Sequence, residues 1–364
     1  QDDQNLVKVK PCCYAHWNLI PEGVRSPMQV FETNERVTNN PVIEWFRDTV
    51  KSGKLPRSCK TCTTTEAAGG RSPRLDSLEY MDPDHDIFML DVHTGNECNL
   101  ACAMCNVYSS SLIEKESVKY DDTPAIWKHT TKYTSTEHDS DATFNQVDQI
   151  MNSKRVQIVK FKGGEPLLKR NWTHIERGLE SGQYADTIIR IITNGTNLNK
   201  NIIDKLHMAR KATINVSVDG IGEVGEFVRW PQTADKIQRT LDIIHENRYS
   251  NVHFNTTTIV TMLNIGDIEN IHRECSKVAE QVTFDFDLKP EGHPLDYRNI
   301  PNSIRTKLRN SIDPAILHKG SLPLRNLIDI EHEGWTNPLE VERTLSWFEK
   351  HRGKEIKNVL HPEV

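Results

Sequence analysis

From about residue 86 onward, short runs rich in β-branched and aromatic residues alternate with segments whose apolar residues recur at helical spacing. Six runs are predicted to be strands, at residues 86–93, 156–162, 187–193, 213–218, 252–260 and 282–288. Amphipathic segments separate them and include residues 171–182, 199–210, 233–247 and 267–278. Such alternation is typical of a parallel sheet with helices packed outside it. Six units predict an α/β fold, a partial (β/α)6 barrel of the TIM type that stops short of eight-fold closure.

The sequence before this alternating region has a different character. It contains short β-like pieces at residues 7–17, a predicted helix at 42–52 and turn-rich sequence after that helix. These features predict a small separate module. The predicted division of the chain is a cysteine-rich module at residues 1–85, the barrel at 86–290 and a helical extension at 291–364.

Two further segments are set apart by their pattern. The last predicted helix spans residues 339–359, and its Leu345, Phe348 and Val359 are expected to pack on the barrel. The polar stretch 115–143 interrupts the alternation and is predicted to be either a functional lid or a disordered excursion, the two usual origins of so long a loop.

Composition excludes several classes of protein. The chain has 45 Lys and Arg against 51 Asp and Glu, a net charge of −6, which disfavours nucleic acid as a main partner. No apolar run approaches the ~18 to 20 residues of a membrane span. The start of the sequence lacks the basic and apolar regions of a signal peptide. These observations predict a cytoplasmic protein without a membrane partner.

The cysteines are unevenly distributed. Of eight, seven lie in the first 105 residues and only Cys275 lies beyond them. A chain of this length can bury a substantial core without covalent staples. In a reducing compartment, clustered cysteines indicate metal binding or catalysis more often than disulfides. Cys275, within a helical pattern, is expected to be a buried small apolar residue.

Three of these cysteines directly follow the first predicted strand, in the sequence Cys98-Asn-Leu-Ala-Cys102-Ala-Met-Cys105. Three thiolates on one loop can hold three irons of a [4Fe-4S] cluster, whereas an electron carrier has four cysteines, one for each iron. The fourth iron is then open, and an open coordination position distinguishes catalytic from structural metals. A zinc site completed by His93 or a distant histidine is the alternative.

Together with three later motifs, this triad resembles the radical S-adenosylmethionine (SAM) superfamily. The motifs, at the ends of the second, third and fourth predicted strands, are Gly163-Gly164-Glu165-Pro166, Thr193-Asn194-Gly195 and Ser217-Val218-Asp219-Gly220. The resemblance implies that SAM chelates the open iron through its amino and carboxylate groups. It further implies that one electron splits SAM into methionine and a 5′-deoxyadenosyl radical, which abstracts hydrogen from a substrate.

The resemblance also implies a set of SAM contacts. Paired glycines allow close backbone approach to a ligand, and Glu165 can accept hydrogen bonds from an ammonium group. Ser217 and Asp219 are candidates for the ribose hydroxyls, and Arg229 for the SAM carboxylate. Met104 stands where the family often has an aromatic residue, and would pack on the adenine. The candidate cofactor-binding residues are Met104, Gly163, Gly164, Glu165, Asn194, Ser217, Asp219 and Arg229.

A competing motif follows the fourth predicted strand, because residues 220–225 spell the dinucleotide fingerprint G-x-G-x-x-G. That motif requires a helix to open within the loop. Pro231 shortly afterwards disfavours helix in the residue before it, and the motif lies in the fourth unit rather than the first. Nicotinamide binding is therefore disfavoured.

A second cysteine group comprises Cys12, Cys13, Cys59 and Cys62. Its surroundings resemble the SPASM/Twitch group of the superfamily, whose extra module binds an auxiliary [4Fe-4S] cluster. In most members that module follows the barrel, whereas here it precedes the triad. Either Cys12 or Cys13, together with Cys59 and Cys62, gives three ligands, and both together give four. Adjacent cysteines are geometrically awkward as ligands of one cluster. Structural zinc is the alternative metal.

The resemblance covers roughly residues 8–290 and predicts an enzyme. The expected substrate is a peptide or protein, and the expected electron donor is a flavodoxin or ferredoxin. Two alternatives stay open: a radical SAM enzyme acting on a small molecule or sugar, and a non-catalytic iron–sulfur or zinc protein.

Overall fold

The computed structural model of the chain describes residues 12, 41–67, 69–128, 140–285, 293–313, 316, 338–353 and 355–356. Its centre is a six-stranded parallel sheet whose strands are ordered as they occur in the sequence. The strands are β1 Ile87–His93, β2 Val156–Lys162, β3 Ile188–Thr193, β4 Lys211–Ser217, β5 Val252–Ile259 and β6 Gln281–Asp285. The predicted α/β architecture, a partial six-strand barrel, is confirmed.

Helices connect and surround the strands. The α-helices are α1 Pro41–Lys51, α2 Lys60–Ala67, α3 Pro73–Tyr80, α4 Ser111–Lys119, α5 Ser140–Ser153, α6 Lys169–Glu180, α7 Lys200–Leu206, α8 Gly222–Val228, α9 Ala234–Glu246, α10 Ile268–Cys275, α11 Asn302–Ser311 and α12 Pro338–Arg352. Short 3-10 helices span Arg57–Cys59, Ala125–Trp127, Ile265–Asp267 and Tyr297–Asn299. Within the part of the chain that the structure describes, no helix combines the length and apolarity needed to cross a bilayer.

The two faces of the sheet differ in chemistry. Side chains alternate between faces along a strand, and one set is apolar and buried, as Ile191 and Ile214 illustrate. Phe161, in this set, stacks at 5.9 Å between ring centroids on Phe144 of α5, so this face is covered by helices. The other set, apart from the buried Val156 and Ile158 near the start of β2, is half-buried or exposed, and we call it the open face; its polar members include Asp91, Lys160, Lys162, Arg190, Thr213, Asn215, Ser217, His253, Asn255, Thr257 and Thr283.

The polar stretch 115–143 was predicted to be one long loop, and that prediction is wrong at both ends. Helix α4 runs through Lys119, and helix α5 begins at Ser140. The hydroxyl of Ser110 accepts a hydrogen bond from the amide of Ile113 at 3.2 Å and so caps α4. Ile113 is a single buried anchor in an otherwise polar helix, which is why apolar periodicity did not reveal it. Residues 129–139 lie outside the described residues.

A helix, α8, does open within the G-x-G-x-x-G segment, contrary to the sequence prediction. The glycines there bring the chain close to itself. A Cβ atom on Gly225 would lie 2.4 Å from the carbonyl oxygen of Gly220 and 2.5 Å from Cδ1 of Ile237. Packing of the β4–α8 turn against α9 therefore accounts for these glycines without a dinucleotide.

Helix α12 packs on the core as predicted. Phe348 is fully buried and lies 5.6 Å from Phe227 of α8, and Leu345 packs against the same apolar cluster. Val359 lies outside the described residues. Ion pairs fasten the helix to the segment after the triad, with Arg352 at 3.1 Å from Glu116. The boundaries of the three predicted regions stay predictions.

Candidate active site

The cysteine triad lies on the loop between β1 and α4, and backbone hydrogen bonds hold that loop from two sides. The amides of Ala101 and Ala103 donate to the carbonyls of Trp230 and Val228, at 2.6 and 2.7 Å, next to α8. On the other side, the amide of Gly164 donates to the carbonyl of Gly95 at 2.6 Å. The C-terminal ends of β1 and β2 and the chain at the end of α8 thereby converge on the triad loop, as expected for a site at this edge of a parallel sheet.

The paired glycines after β2 are required by this loop. A Cβ atom on Gly164 would lie 2.1 Å from the carbonyl oxygen of Glu97, and Gly163 adopts a φ of +129°, which side chains disfavour. The sequence predicted close approach of backbone to a ligand. The close approach in the structure is to the chain itself, immediately before Cys98.

The three thiols influence one another electrostatically. Burial, followed by the charge of Cys102, raises the pKa of Cys98 to about 12. Burial, followed by the charges of Cys102 and Cys98, raises the pKa of Cys105. The positive charge of Arg229 opposes these shifts at all three sulfurs. Three thiolates in this environment need a cationic group, and a metal or cluster supplies one.

The donor set fits an iron–sulfur cluster better than a single ion. Among the described residues, no three His, Cys, Asp or Glu side chains are grouped closely enough to share one metal ion. In a [4Fe-4S] cluster each thiolate binds a different iron, so its sulfur ligands stand further apart than those of one zinc. Three thiols are a donor set that a [4Fe-4S] cluster accepts, and their binding of such a cluster stays a prediction.

Glu165 joins the ends of β2 and β3. Its carboxylate is fully buried and accepts hydrogen bonds from the Thr193 hydroxyl at 2.6 Å, the Asn194 amide at 2.7 Å and the Leu167 amide at 2.9 Å. Burial raises its pKa, and these donors oppose the rise. Glu165 thus braces the two strand ends, and its contact with a SAM ammonium stays a prediction.

Asn194 links the end of β3 to the triad loop. Its side-chain amide donates to Oδ1 of Asn99 at 2.9 Å and approaches Sγ of Cys98 at 3.9 Å. Its own oxygen accepts from the amide of Thr196 at 2.9 Å. Asn194 is therefore positioned at the first cysteine.

Asp219 and Arg229 form a buried ion pair. The second carboxylate oxygen of Asp219 accepts a hydrogen bond from the amide of Ile259 at 2.7 Å. Burial lowers the pKa of Arg229, but the negative charges of Cys102 and Asp219 outweigh it, and the pKa is raised. The two residues predicted to bind ribose and carboxylate are bound to each other in this structure. Nε of Arg229 is buried without a hydrogen-bond partner among the described residues.

A small pocket lies beside these groups. It brings together three predicted contacts, Asn194, Ser217 and Arg229. Sequence reasoning missed Gln232 and Thr240, which also line it and come from α8–α9; neither belongs to a recognisable motif. Oε1 of Gln232 is buried without a partner. Met104 is buried in the core cluster next to the triad, and Asp219 lies behind Arg229 rather than in the pocket lining.

The second cysteine group is described in part. Cys59 and Cys62 are buried at the junction of the Arg57–Cys59 turn and α2, and Cys12 is half-buried. Burial and then the charge of Cys62 raise the pKa of Cys59, while Arg74 opposes the rise. Cys13 lies outside the described residues. The structure therefore brings Cys59 and Cys62 together and leaves the full ligand set a prediction.

Comparison with known proteins gives a family and distant relatives. A family model described as the Radical SAM superfamily matches residues 92–275, just over half of the chain. An uncharacterized protein of Methanocaldococcus jannaschii is 26% identical over 206 residues, which cover 54% of this chain and 61% of that protein. The AdoMet-dependent heme synthase of Methanosarcina barkeri is 27% identical over 215 residues, 56% of this chain and 53% of that enzyme.

Among solved structures, Streptococcus suis SuiB bound to S-adenosylmethionine matches with a TM-score of 0.43 and 13% identity, over 77% of this chain and 61% of SuiB. The chain thus spans less than two thirds of the length of these three proteins.

Proposed function

The chain belongs to the radical SAM superfamily, and from this membership we propose that Cys98, Cys102 and Cys105 hold a [4Fe-4S] cluster at which SAM binds. When bound, the cluster supplies the electron that splits SAM into methionine and a 5′-deoxyadenosyl radical, and that radical abstracts hydrogen from a substrate. Members of the family are enzymes, and the protein is accordingly an enzyme.

One observation carries this proposal: three thiols on a single loop lie after β1 and next to the ends of β2 and β3, beside a pocket lined by Arg229, whose Nε is buried without a hydrogen-bond partner among the described residues. A buried donor without a partner is costly, and an anionic ligand group would satisfy it. The carboxylate of SAM is such a group. The Asp219 carboxylate holds the guanidinium in place from behind.

The other chain groups have positioning roles in this proposal. Glu165 fixes the end of β3 and so places Asn194 beside Cys98. Ser217 and Gln232 face the same pocket and are candidates for the ribose and amino groups of SAM.

Anaerobic reconstitution followed by dithionite reduction with SAM tests the proposal. The wild-type protein is expected to form 5′-deoxyadenosine, and Cys102→Ala is expected to lose this activity together with triad iron. Cys275→Ala is the matched control, because Cys275 is equally buried but lies on α10, away from the triad loop. Absence of 5′-deoxyadenosine in the wild type would overturn the radical SAM assignment of the site.

We further propose that the N-terminal group, Cys59 and Cys62 with Cys12 or Cys13, binds an auxiliary [4Fe-4S] cluster. Support comes from two buried cysteines at C-x2-C spacing, of which Cys59 has a pKa raised by burial and then by the charge of Cys62. Iron and sulfide analysis tests it: two clusters predict about eight irons, whereas a zinc site predicts about four irons and one zinc. Zinc in the reconstituted protein, with about four irons, would contradict the auxiliary cluster and assign the N-terminal site to a structural zinc ion.

The proposed substrate is a peptide or protein, on the strength of the SPASM/Twitch resemblance of the N-terminal cysteines; a small molecule or sugar is the second candidate. A flavodoxin or ferredoxin is the proposed electron donor in the cytoplasm, replaced by dithionite in the assay. Incubation with short peptides encoded beside the gene should give a mass change that depends on SAM. A SAM-dependent product from a sugar or small metabolite, without any from peptides, would favour the second candidate.

A further inference from the structure

The open face of the sheet is unusual for parallel strands, which are typically buried and apolar on both faces. Along β2, the side chains on this face change from apolar near the start of the strand, such as Ile158, to polar at its C-terminal end, which is the end next to the triad. Lys162 is the last residue of β2 and directly precedes Gly163, whose neighbours pack on the triad loop. A polar surface therefore leads up to the site where SAM is proposed to react.

The charges on this face are unbalanced. Three cations, Lys160, Lys162 and Arg190, lie on adjacent strands, and one carboxylate serves two of them. Oδ2 of Asp91 is 2.8 Å from Nζ of Lys162 and 3.3 Å from Nζ of Lys160. The side chains of Asp91, Lys160 and Lys162 are 24–35% exposed, so solvent screens their charges incompletely.

Arg190 is the cation of this group that has no ion-pair partner among the described residues. It is the register partner of Lys160, so two cations stand side by side on neighbouring strands, an arrangement that costs free energy. Among the described residues, the guanidinium of Arg190 also has no hydrogen-bond partner. Partial burial lowers its pKa, and the charge that opposes this comes from Asp76, whose carboxylate already binds Arg71.

We propose that Lys160, Lys162 and Arg190 form a binding site for an anionic oxygen group, a carboxylate or phosphate, carried by the substrate. The inference rests on the proposed function, because it places that group on the surface leading to the SAM pocket. A ligand oxyanion would compensate the like-charge pair and occupy the donors of Arg190, whose planar fork matches a carboxylate or phosphate. The substrate class is thus narrowed to molecules or peptides that carry an anionic group.

Calorimetric titration of the reconstituted, SAM-saturated protein tests this site. Sodium phosphate and sodium acetate are titrated separately, with ionic strength held constant by chloride. At least one of them should bind the wild-type protein, and Arg190→Gln should weaken that binding by at least about tenfold, the effect of one charge-assisted hydrogen bond. Lys160→Gln is the second variant, should the first fail to fold.

Arg177→Gln is the matched control, because Arg177 is an exposed arginine on α6 whose removal changes the net charge equally. It should leave anion binding unchanged. A preference for phosphate points to a phosphorylated substrate, and comparable binding of acetate points to a carboxylate. No binding of either anion, or equal binding by wild type and Arg190→Gln, overturns the inference.

Formation of 5′-deoxyadenosine by the wild type, measured in parallel, separates this failure from failure of the proposed function. Wild-type protein that cleaves SAM but binds neither anion would refute the anion site alone. Protein that binds the anions through Arg190 but never cleaves SAM would refute the proposed function and keep the site.

Discussion

The triad loop and the Cys59–Cys62 pair present the same ligand type in different surroundings. The triad is tied to the sheet by backbone hydrogen bonds from β2 and from the turn after α8. Helix α12 and the indole of Trp127, which donates to the Cys105 carbonyl at 2.8 Å, cover it from outside. The pair is held mainly by local contacts, namely the turn before α2 and the Glu66–Arg74 ion pair.

On the proposed assignment, the triad would bind a metal cluster that reacts, whereas the pair would bind a metal in a separate site. A loop fixed by long-range contacts would keep the open iron of the proposed cluster aligned with the pocket. A site made of local contacts needs only its own ligands and neighbouring turns. Disturbing the supports of each region should therefore have different consequences.

The largest effect is expected for Arg229→Met. The substitution leaves the Asp219 carboxylate buried without its partner, which costs about 3–5 kcal/mol of unfolding free energy. Denaturant unfolding measures it, and the double variant with Asp219→Asn should recover most of the loss. Arg177→Met, on the surface, should change stability by less than about 0.5 kcal/mol. A loss at Arg229 as small as this control would mean that the pair is not a support of the triad region.

The next effect concerns pH and His293. Burial lowers the pKa of His293, whose ring lies 5.9 Å from Trp127, from 6.5 to about 4. The unfolded chain then binds the proton more readily, so stability is complete above pH 6.5 and falls as the pH drops toward 4, by roughly 3 kcal/mol. His293→Gln should flatten this part of the curve of unfolding free energy against pH. An unchanged slope in the variant would contradict the assignment.

Gly164→Ala should be milder in stability but specific in metal content. The added methyl would meet the carbonyl of Glu97 at 2.1 Å, so the loop must shift, at a cost of about 1–3 kcal/mol. Iron at the triad should fall while metal at the N-terminal pair is retained. Gly182→Ala, with no atom within 4 Å of the new methyl, is the control and should keep all its iron. Equal iron in both variants would show that the glycine is dispensable for the triad.

The smallest effect on global stability is expected for Cys62→Ser. Because the pair rests on local contacts, the variant should lose the N-terminal metal with little change in the unfolding midpoint of the barrel. Metal analysis and denaturant unfolding give the two readouts. A large drop in the midpoint would mean that the stability of the barrel depends on the N-terminal metal site.

Much of the fold was predictable because its signals are local and periodic. The strand β2 matches its predicted range, since a run of β-branched and aromatic residues needs no tertiary information to be identified. Helix α4 was missed because one buried residue, Ile113, anchors it. The short helix α8 was missed because Pro231 suggested an earlier break.

The candidate site divides in the same way. Cysteine spacing alone indicated a cluster with an open iron, and the strand-end motifs identified the family. Which partner each polar group has was not predictable. Glu165 binds the end of β3, and Asp219 binds Arg229, because these contacts join residues far apart in the chain.

The sequence by itself determined the repeating strand–helix order and indicated the family, because both are recorded in the spacing of residues along the chain. Only the tertiary structure decided that the glycines after β2 serve the triad loop, that Gln232 and Thr240 complete the pocket, and that Lys160 and Arg190 stand side by side. The physical reason is that strand register and loop packing bring distant residues within contact distance, and no local pattern records which ones will meet.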